Sequence, residues 1–530
     1  MTVILGEHTT PAASVGSERL PTLDELFRAA VARSPDGSAL VDPADRDRFT
    51  DGPVRRLTYG QADRVVSAIA RRLLDCGLPA NAMVAIQLPN VVESVLVLLG
   101  VLRAGLIAVP VPLLWRRADM VSALGRIGAR ALVVPRRVGT VDHGDMAAHV
   151  AAETFAIRFL FGFGDPLPDG VIALNDVFDA RATPVVPGER WGDPKNHVAV
   201  VTFEVTSDGI IPVARSNAQL VTAGAAVVSE LGAAGASARI ISGASIASLA
   251  GLACGVLPWL VGDGTLVLQH PFSVDVFALQ RERERCTLAV VPGPLLSTLA
   301  NAQLLGPAAV LALWRTPERL SAANRLPADP ERTIVDLWAF GEIAVVASRR
   351  GPNGNPEAPA LPSAGRHQAG APLRVEAMRS QAGTLALRGA IVPRHQFPLG
   401  TERSGPLRLK IDESGFVDTG YPCRFDRASN RMVITGPPSG IVSVGGYRVP
   451  WRELEETVAR IDPESSVAAL PDALTGQRLA GVAADRRAVH RALAAQGAQP
   501  LLTAAFGEHR PTKSHAERTS ALTERLREPG

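Results

Sequence analysis

A chain of 530 residues, 46% hydrophobic and 20% charged, has a globular rather than a disordered make-up, and at roughly 150 residues per domain it is too long for one ordinary core. A formal net charge of +3, with no basic stripe interleaved with aromatics, argues against a nucleic-acid partner. Four scattered cysteines, Cys76, Cys254, Cys286 and Cys423, contain no CxxC pair and suit reduced, mostly buried thiols in a reducing compartment.

The first residues, MTVILGEHTTPAASVGSERLP, have neither a basic start nor a sustained apolar core, so no signal peptide is read and a cytoplasmic protein is expected. Residues 22–34 and 58–76 read as amphipathic helices. In the second, Ala62, Val65, Val66, Ile69 and Leu73 recur at helical spacing, and Gly77 supplies the stop. MVAIQL then reads as a strand, VVESVLVLLGVLRAG as a helix, IAVPV as a strand, ADMVSALGRIG as a helix and ARALVV as a strand. This alternation predicts βαβ units and a parallel sheet. The apolar window 95–114 is interrupted by Arg103 and two prolines, which predicts a buried helix and strand rather than a membrane span.

The alternation returns at QLVTAGAAVVSELG, ARIISG, LAGLACGVLPWLV and TLVL. The charge run RERER, Arg281–Arg285, reads as a solvated helix face. After Ala347 a Pro-, Gly- and Ala-rich stretch, residues 348–372, reads as a long surface loop, followed by short β-like pieces at LRVEAM, TLALRG, GFVDTG and MVITG. PPSG, Pro437–Gly440, reads as a linker. Beyond it strand IVSVGGYRV, helix WRELEETVARI, strand SVAAL and helix RRAVHRALAAQG form a small α+β unit. The expected division is a domain over 1–435, a hinge over 436–440 and a small, truncated or degenerate domain over 441–530.

Between these stands VTFEVTSDGIIPVARSN, Val201–Asn217. A strand leading into small hydroxyl residues is a place where proteins hold phosphates, yet this one carries Glu204 and Asp208 and a single glycine, Gly209. Two carboxylates at contact range from a triphosphate would each cost about 1–4 kcal/mol at a surface-like dielectric.

Several separate segments share one pattern, in order: LTYGQADRVVSAIARRL, VAIQLPNVVESVLVLLGVLRAGLIAVPVPL, LAGLACGVLPWLVGDGTLVL and ITGPPSGIVSVGGYRVPWRELEE. On these the chain resembles the adenylate-forming superfamily of acyl-CoA synthetases, luciferases and nonribosomal adenylation domains. The resemblance implies an α/β fold with a large N-terminal domain of βαβ-built sheets and a small β-rich subdomain. A small C-terminal α+β domain is expected to rotate between two poses. The family joins a carboxylate to ATP, with Mg2+, and passes the acyl group to the thiol of CoA or of a carrier protein's phosphopantetheine.

The family's residues carry over position by position. In the phosphate loop Thr206 and Ser207 keep hydroxyls. Glu204 stands where a small hydroxyl residue is expected, Val205 and Asp208 replace glycines, Ile211 takes the lysine position and Asn217 the histidine position. In DLWAFGEIA, Trp338 keeps the aromatic and Glu342 the acid that helps hold Mg2+, while Gly341 replaces a threonine. In TGY, Thr419 and Gly420 are kept, and Tyr421 takes the place of the aspartate that grips the ribose. Gly436-Pro437 stands for a Gly-Arg at the hinge. The loop with Gly445, Gly446, Tyr447 and Arg448 is the one that approaches the thiol arm, and it is also a packing element. The catalytic lysine position falls on His515 or Ala516, with Lys513 nearby, and the family's HxxG reads Ser248-Leu-Ala-Gly251.

Three readings stand. In the first, a repurposed homologue acts on or binds an activated acyl thioester without ATP or any other cofactor, with Glu342, Glu204, Asp208 and His515 as the chemical groups and a carboxylate as general base. In the second, an unusual ligase uses ATP, Mg2+ and a thiol. In the third, the chain is a noncatalytic scaffold. Partners on these readings are an acyl carboxylate or thioester and an acyl carrier protein. The Ala- and Arg-rich style suggests a bacterial natural-product pathway.

Overall fold

The structure, a computed structural model, describes residues 20–507 apart from 180, 182–184, 187–188, 322–323, 327–328, 330, 357–374, 399–406 and 427–430. A large N-terminal domain carries two mixed sheets and a small antiparallel one, and a smaller α+β domain follows.

The seven-stranded sheet has Met83–Ile86 at its centre, with Ile107–Pro110 and the hairpin Val198–Thr206/Gly209–Ser216 on one side. Ala131–Pro135, Phe159–Phe163 and Val171–Ala173 lie on the other. Helix Tyr59–Asp75 starts at a capping box in which Thr58 and Gln61 satisfy each other's backbone N–H groups. It buries Ala62, Val65, Val66, Ile69 and Leu73, the stripe read from the sequence. Against it lies helix Val92–Arg103, so close that a Cβ on Gly100 would stand 2.6 Å from an Ile69 methyl. The apolar window is thus a buried helix and strand, as expected. Arg103 is 3% exposed and bonded to Asp24, Asp63 and Ser67. Among the described residues no helix is long and apolar enough to cross a membrane.

The eight-stranded sheet runs from Ala344–Arg349 through Ile334–Phe340 and Ala309–Trp314 to Ser38–Val41 and Arg56–Thr58. Here two expectations change. The loop expected from residue 348 begins as strand, and Arg350 is buried because Asp336 takes its guanidinium at 2.8 Å through both oxygens. In RERER, Glu284 is 5% exposed, held by Arg56 and Arg239 from neighbouring strands, so the run is not simply a solvated face. Most of the remaining Pro- and Gly-rich stretch, 357–374, lies outside the described residues.

The small domain has its own core, including Val449, Leu454, Val458, Leu493 and Phe506. Strand Gly476–Val482, unread in the sequence, completes its four-stranded sheet. It rests on the large domain through Gln499, which donates to Asp119 at 2.9 Å, and through Arg319, which donates to the carbonyls of Ala473 and Leu474.

Candidate functional site

Glu204 lies inside strand Val198–Thr206, where it pairs with Ile211 across the hairpin, so the expected loop begins later, at Ser207. Strand alternation turns Glu204 inward, and it is 5% exposed. Strand Ile334–Phe340 ends beside it in a turn at Gly341, with φ +58°, which delivers Glu342. The Glu342 backbone N–H donates to one Glu204 oxygen, and Arg448 Nη1 donates to the other at 2.7 Å. Arg448 comes from strand Tyr447–Pro450 of the small domain. Its Nη2 donates to the hydroxyl of buried Tyr421, over whose ring the guanidinium sits at 5.2 Å.

Burial pushes the Glu204 carboxyl up to about 7 against the pull of Arg448. The carboxylate of Glu342 accepts from Leu249 N at 2.7 Å, at the start of helix Leu249–Cys254. Buried Arg215 donates to the carbonyls of Glu342 and Ile343 and so fixes the turn.

A cavity of about 80 Å3 opens here, lined by Glu204, Glu342, Ser248, Arg315, Trp115 and Tyr447 among others. Arg315 and Gly446 also line a second cavity of about 350 Å3, whose walls are largely apolar, including Phe272, Val291, Leu295 and Leu313. Arg315 Nη2 donates to Ser248 Oγ at 3.1 Å, and that hydroxyl also caps the following helix by accepting from Gly251 N. Gly446, at φ +83°, leaves room for the Arg315 side chain.

Trp115 is held from behind. Gln87 donates to the Pro112 and Trp115 carbonyls at 3.1 Å and faces His143 Nδ1 at 3.1 Å. Burial, with Arg116 and His270, holds His143 down to about 3. A histidine kept neutral in the fold but titrating near 6.5 when unfolded contributes stability that is present above pH 6.5 and lost as pH falls. Between pH 7 and pH 5 its share of the loss is about 2 kcal/mol. Urea unfolding at both values should show a smaller loss for His143→Gln than for the parent.

The structure thus brings together Glu204, Glu342, Tyr421, Arg448 and Gly446 of the sequence-derived set. Thr206, Ser207 and Asp208 do not join them. Ser207 and Asp208 are exposed in the hairpin turn, and the Thr206 hydroxyl is bonded within it to Gly209 O and Asp208 N. Thr419 Oγ1 donates to Leu385 O, Gly420 N to Asp418, and Trp338 is a buried strand residue whose Nε1 has no partner. His515, Ala516 and Lys513 lie outside the described residues. Sequence reasoning missed Arg215 and Arg315. For Arg215 a signal existed, a lone cation in the apolar strand GIIPVARS. Among the described residues no group of three or more His, Cys, Asp or Glu side chains could hold a metal ion.

Residues 27–203 match the AMP-binding enzyme family. The chain is an adenylate-forming ligase homologue. It is 24% identical over 456 residues to a salicylyl-CoA synthase / salicylate adenylyltransferase of Streptomyces sp, covering 83% of this chain and 81% of that protein. It is 22% identical to the medium-chain fatty-acid–CoA ligase of Escherichia coli K12, covering 82% and 77%. Its fold is that of the amide bond synthetase McbA from Marinactinospora thermotolerans, with a TM-score of 0.64 at 18% identity over 90% of this chain and 94% of that one. The apo structure of Mycobacterium smegmatis MbtA superposes similarly, with a TM-score of 0.62 at 20% identity over 91% and 90%.

Proposed function

We propose that this homologue binds or acts on an already activated acyl group, a CoA or carrier-protein thioester, without forming an acyl adenylate. The observation that carries the reading is the buried Glu204–Arg448 pair beside Glu342, in the segment whose sequence resembles the family's phosphate loop. A triphosphate placed there would meet the Glu204 carboxylate and compete for its arginine. Glu342, the residue for Mg2+, has one oxygen committed to Leu249 N, and the Thr206 hydroxyl is committed within its turn. These residues fit ATP–Mg2+ poorly.

They suit acyl chemistry better. The 350 Å3 cavity takes the acyl group against apolar walls. Glu204, with its carboxyl at about 7, is poised to exchange a proton near neutral pH. Arg315, which lines both cavities, offers positive charge to an oxygen that becomes negative. The Pro437-Pro438 pair at the 436–440 hinge would favour one pose of the small domain. A bacterial, cytoplasmic setting in natural-product biosynthesis, with an acyl carrier protein as partner, completes the proposal.

Carboxylate-dependent ATP–pyrophosphate exchange should stay at background, and ATP–Mg2+ should leave the melting temperature unchanged. Clear exchange would establish the ligase reading instead. Incubation with a panel of acyl thioesters should give a new mass. Its rate should rise with pH through an inflection near 7, and Glu204→Gln should remove the inflection and about 10²–10⁴ of the rate. No turnover across the panel would favour a scaffold.

A further inference from the structure

The seven-stranded sheet reverses its winding at its centre. From Met83–Ile86 the chain passes to Ile107–Pro110 on one side, then crosses back to Ala131–Pro135 on the other. Open α/β sheets have a crevice at such a switch point, outside the carboxyl ends of the strands, and ligands settle there. A cavity of about 210 Å3 occupies it, and it shares no lining residue with the two cavities of the candidate site. Leu88 and Pro89 follow strand Met83–Ile86, Arg136 follows Ala131–Pro135 and Gly164 follows Phe159–Phe163, while Arg55 and Phe178 close the cavity from outside the sheet.

Most charges around it are matched. Arg46 donates to Asp42, Glu93 and Thr50. Arg137 bonds Asp51 and Gly139 O, and Arg136 bonds Asp142. Arg55 and Glu93 form an ion pair here, but one buried atom of each lacks a hydrogen bond. Glu93 is 3% exposed and its Oε2 has no hydrogen-bond partner. Arg55 Nε is buried without one, 3.6 Å from the other Glu93 oxygen. The Arg55 guanidinium lies over the Phe178 ring at 3.5 Å, which fixes its plane. Buried polar atoms are normally satisfied, so an unmet donor beside an unmet acceptor in a cavity marks a place where a ligand gains.

We propose that this cavity binds a small carboxylic acid with a hydroxyl or amino group on the adjacent carbon. The carboxylate accepts from Arg55, and the O–H or N–H donates to Glu93 Oε2. The volume, below the roughly 300–1,000 Å3 of sites for drug-sized ligands, selects a molecule of a few carbons.

The test is calorimetric titration of the full-length protein at low salt with lactate, alanine, acetate and inorganic phosphate. Lactate or alanine should bind with a Kd of about 1 mM or tighter. Acetate, which leaves Glu93 Oε2 unmet, should bind about tenfold more weakly. Arg55→Gln should weaken lactate and alanine about tenfold or more, and Arg55→Lys, which keeps the charge beside Glu93, should fall between. Glu93→Gln should cut alanine's preference over acetate more than lactate's, because the ammonium loses a carboxylate while the hydroxyl can still pair with the amide. The proposal is overturned if neither lactate nor alanine binds, if Arg55→Gln binds them like the parent, or if acetate or phosphate binds as tightly.

Discussion

Arg448→Met is expected to destabilise the docked small domain by about 3–5 kcal/mol at pH 8, because it leaves the Glu204 charge buried without its cation. The Tyr421 hydroxyl loses its donor in the same step. The loss should shrink towards pH 5. Burial raises the Glu204 carboxyl to about 7, above its ordinary value near 4.5, so its neutral form supports the fold fully below about 4.5. That support fades as pH rises through 7. At pH 5 Glu204 is mostly protonated and the missing arginine matters less. The double variant Glu204→Gln/Arg448→Met should recover much of the loss, since removing both partners removes the stranded charge. Hydrogen exchange of strand Tyr447–Pro450, measured at both pH values, reads this out. Equal losses at pH 5 and pH 8, or no recovery in the double variant, would exclude Glu204–Arg448 as the latch.

What the sequence made legible follows how local each cause is. Helix Tyr59–Asp75 was readable because its stripe and its Thr58–Gln61 cap are set within a few residues. Helix Val92–Arg103 was readable as buried because it is apolar on every side. Glu342, Tyr421, Arg448 and Glu204 could be named through the resemblance to family motifs, but nothing in that resemblance says that they touch. Arg448 reaches Glu204 across 244 residues of chain. Arg215 and the Glu342 carbonyl are 127 apart, and Arg315 and Ser248 are 67 apart, so those contacts exist only once the strands are stacked. Glu284 hid in RERER for the same reason, since Arg56 bonds it from 228 residues away. The hairpin did have a local signal. Thr206 to Gly209 is a hydroxyl- and Asp-containing turn closed by glycine between two β-rich runs. The resemblance to a phosphate loop groups Asp208 with Glu204, whereas the turn carries Asp208 outward.

Gly341→Ala should be nearly as damaging as loss of Arg448, at about 3 kcal/mol or more. Two separate effects add. At φ +58° any residue with a Cβ is strained by about 1–2 kcal/mol. That Cβ would also collide with both Glu204 oxygens and stand 2.6 Å from Arg448 Nη1, well inside contact distance. Neither neighbour yields cheaply. Glu204 is fixed by the Glu342 N–H and by Arg448, and Arg448 by Tyr421. A threonine at this position would meet the same obstacle, so Gly341 and Glu204 fit one another as a pair. Glu204→Ala should therefore make Gly341→Ala milder, because it removes the two closest contacts and frees Arg448 Nη1 from its partner, although Arg448 itself still borders the site. Denaturant unfolding of the four-member cycle measures the coupling. Simple additivity would mean that Gly341 and Glu204 do not compete for the same space.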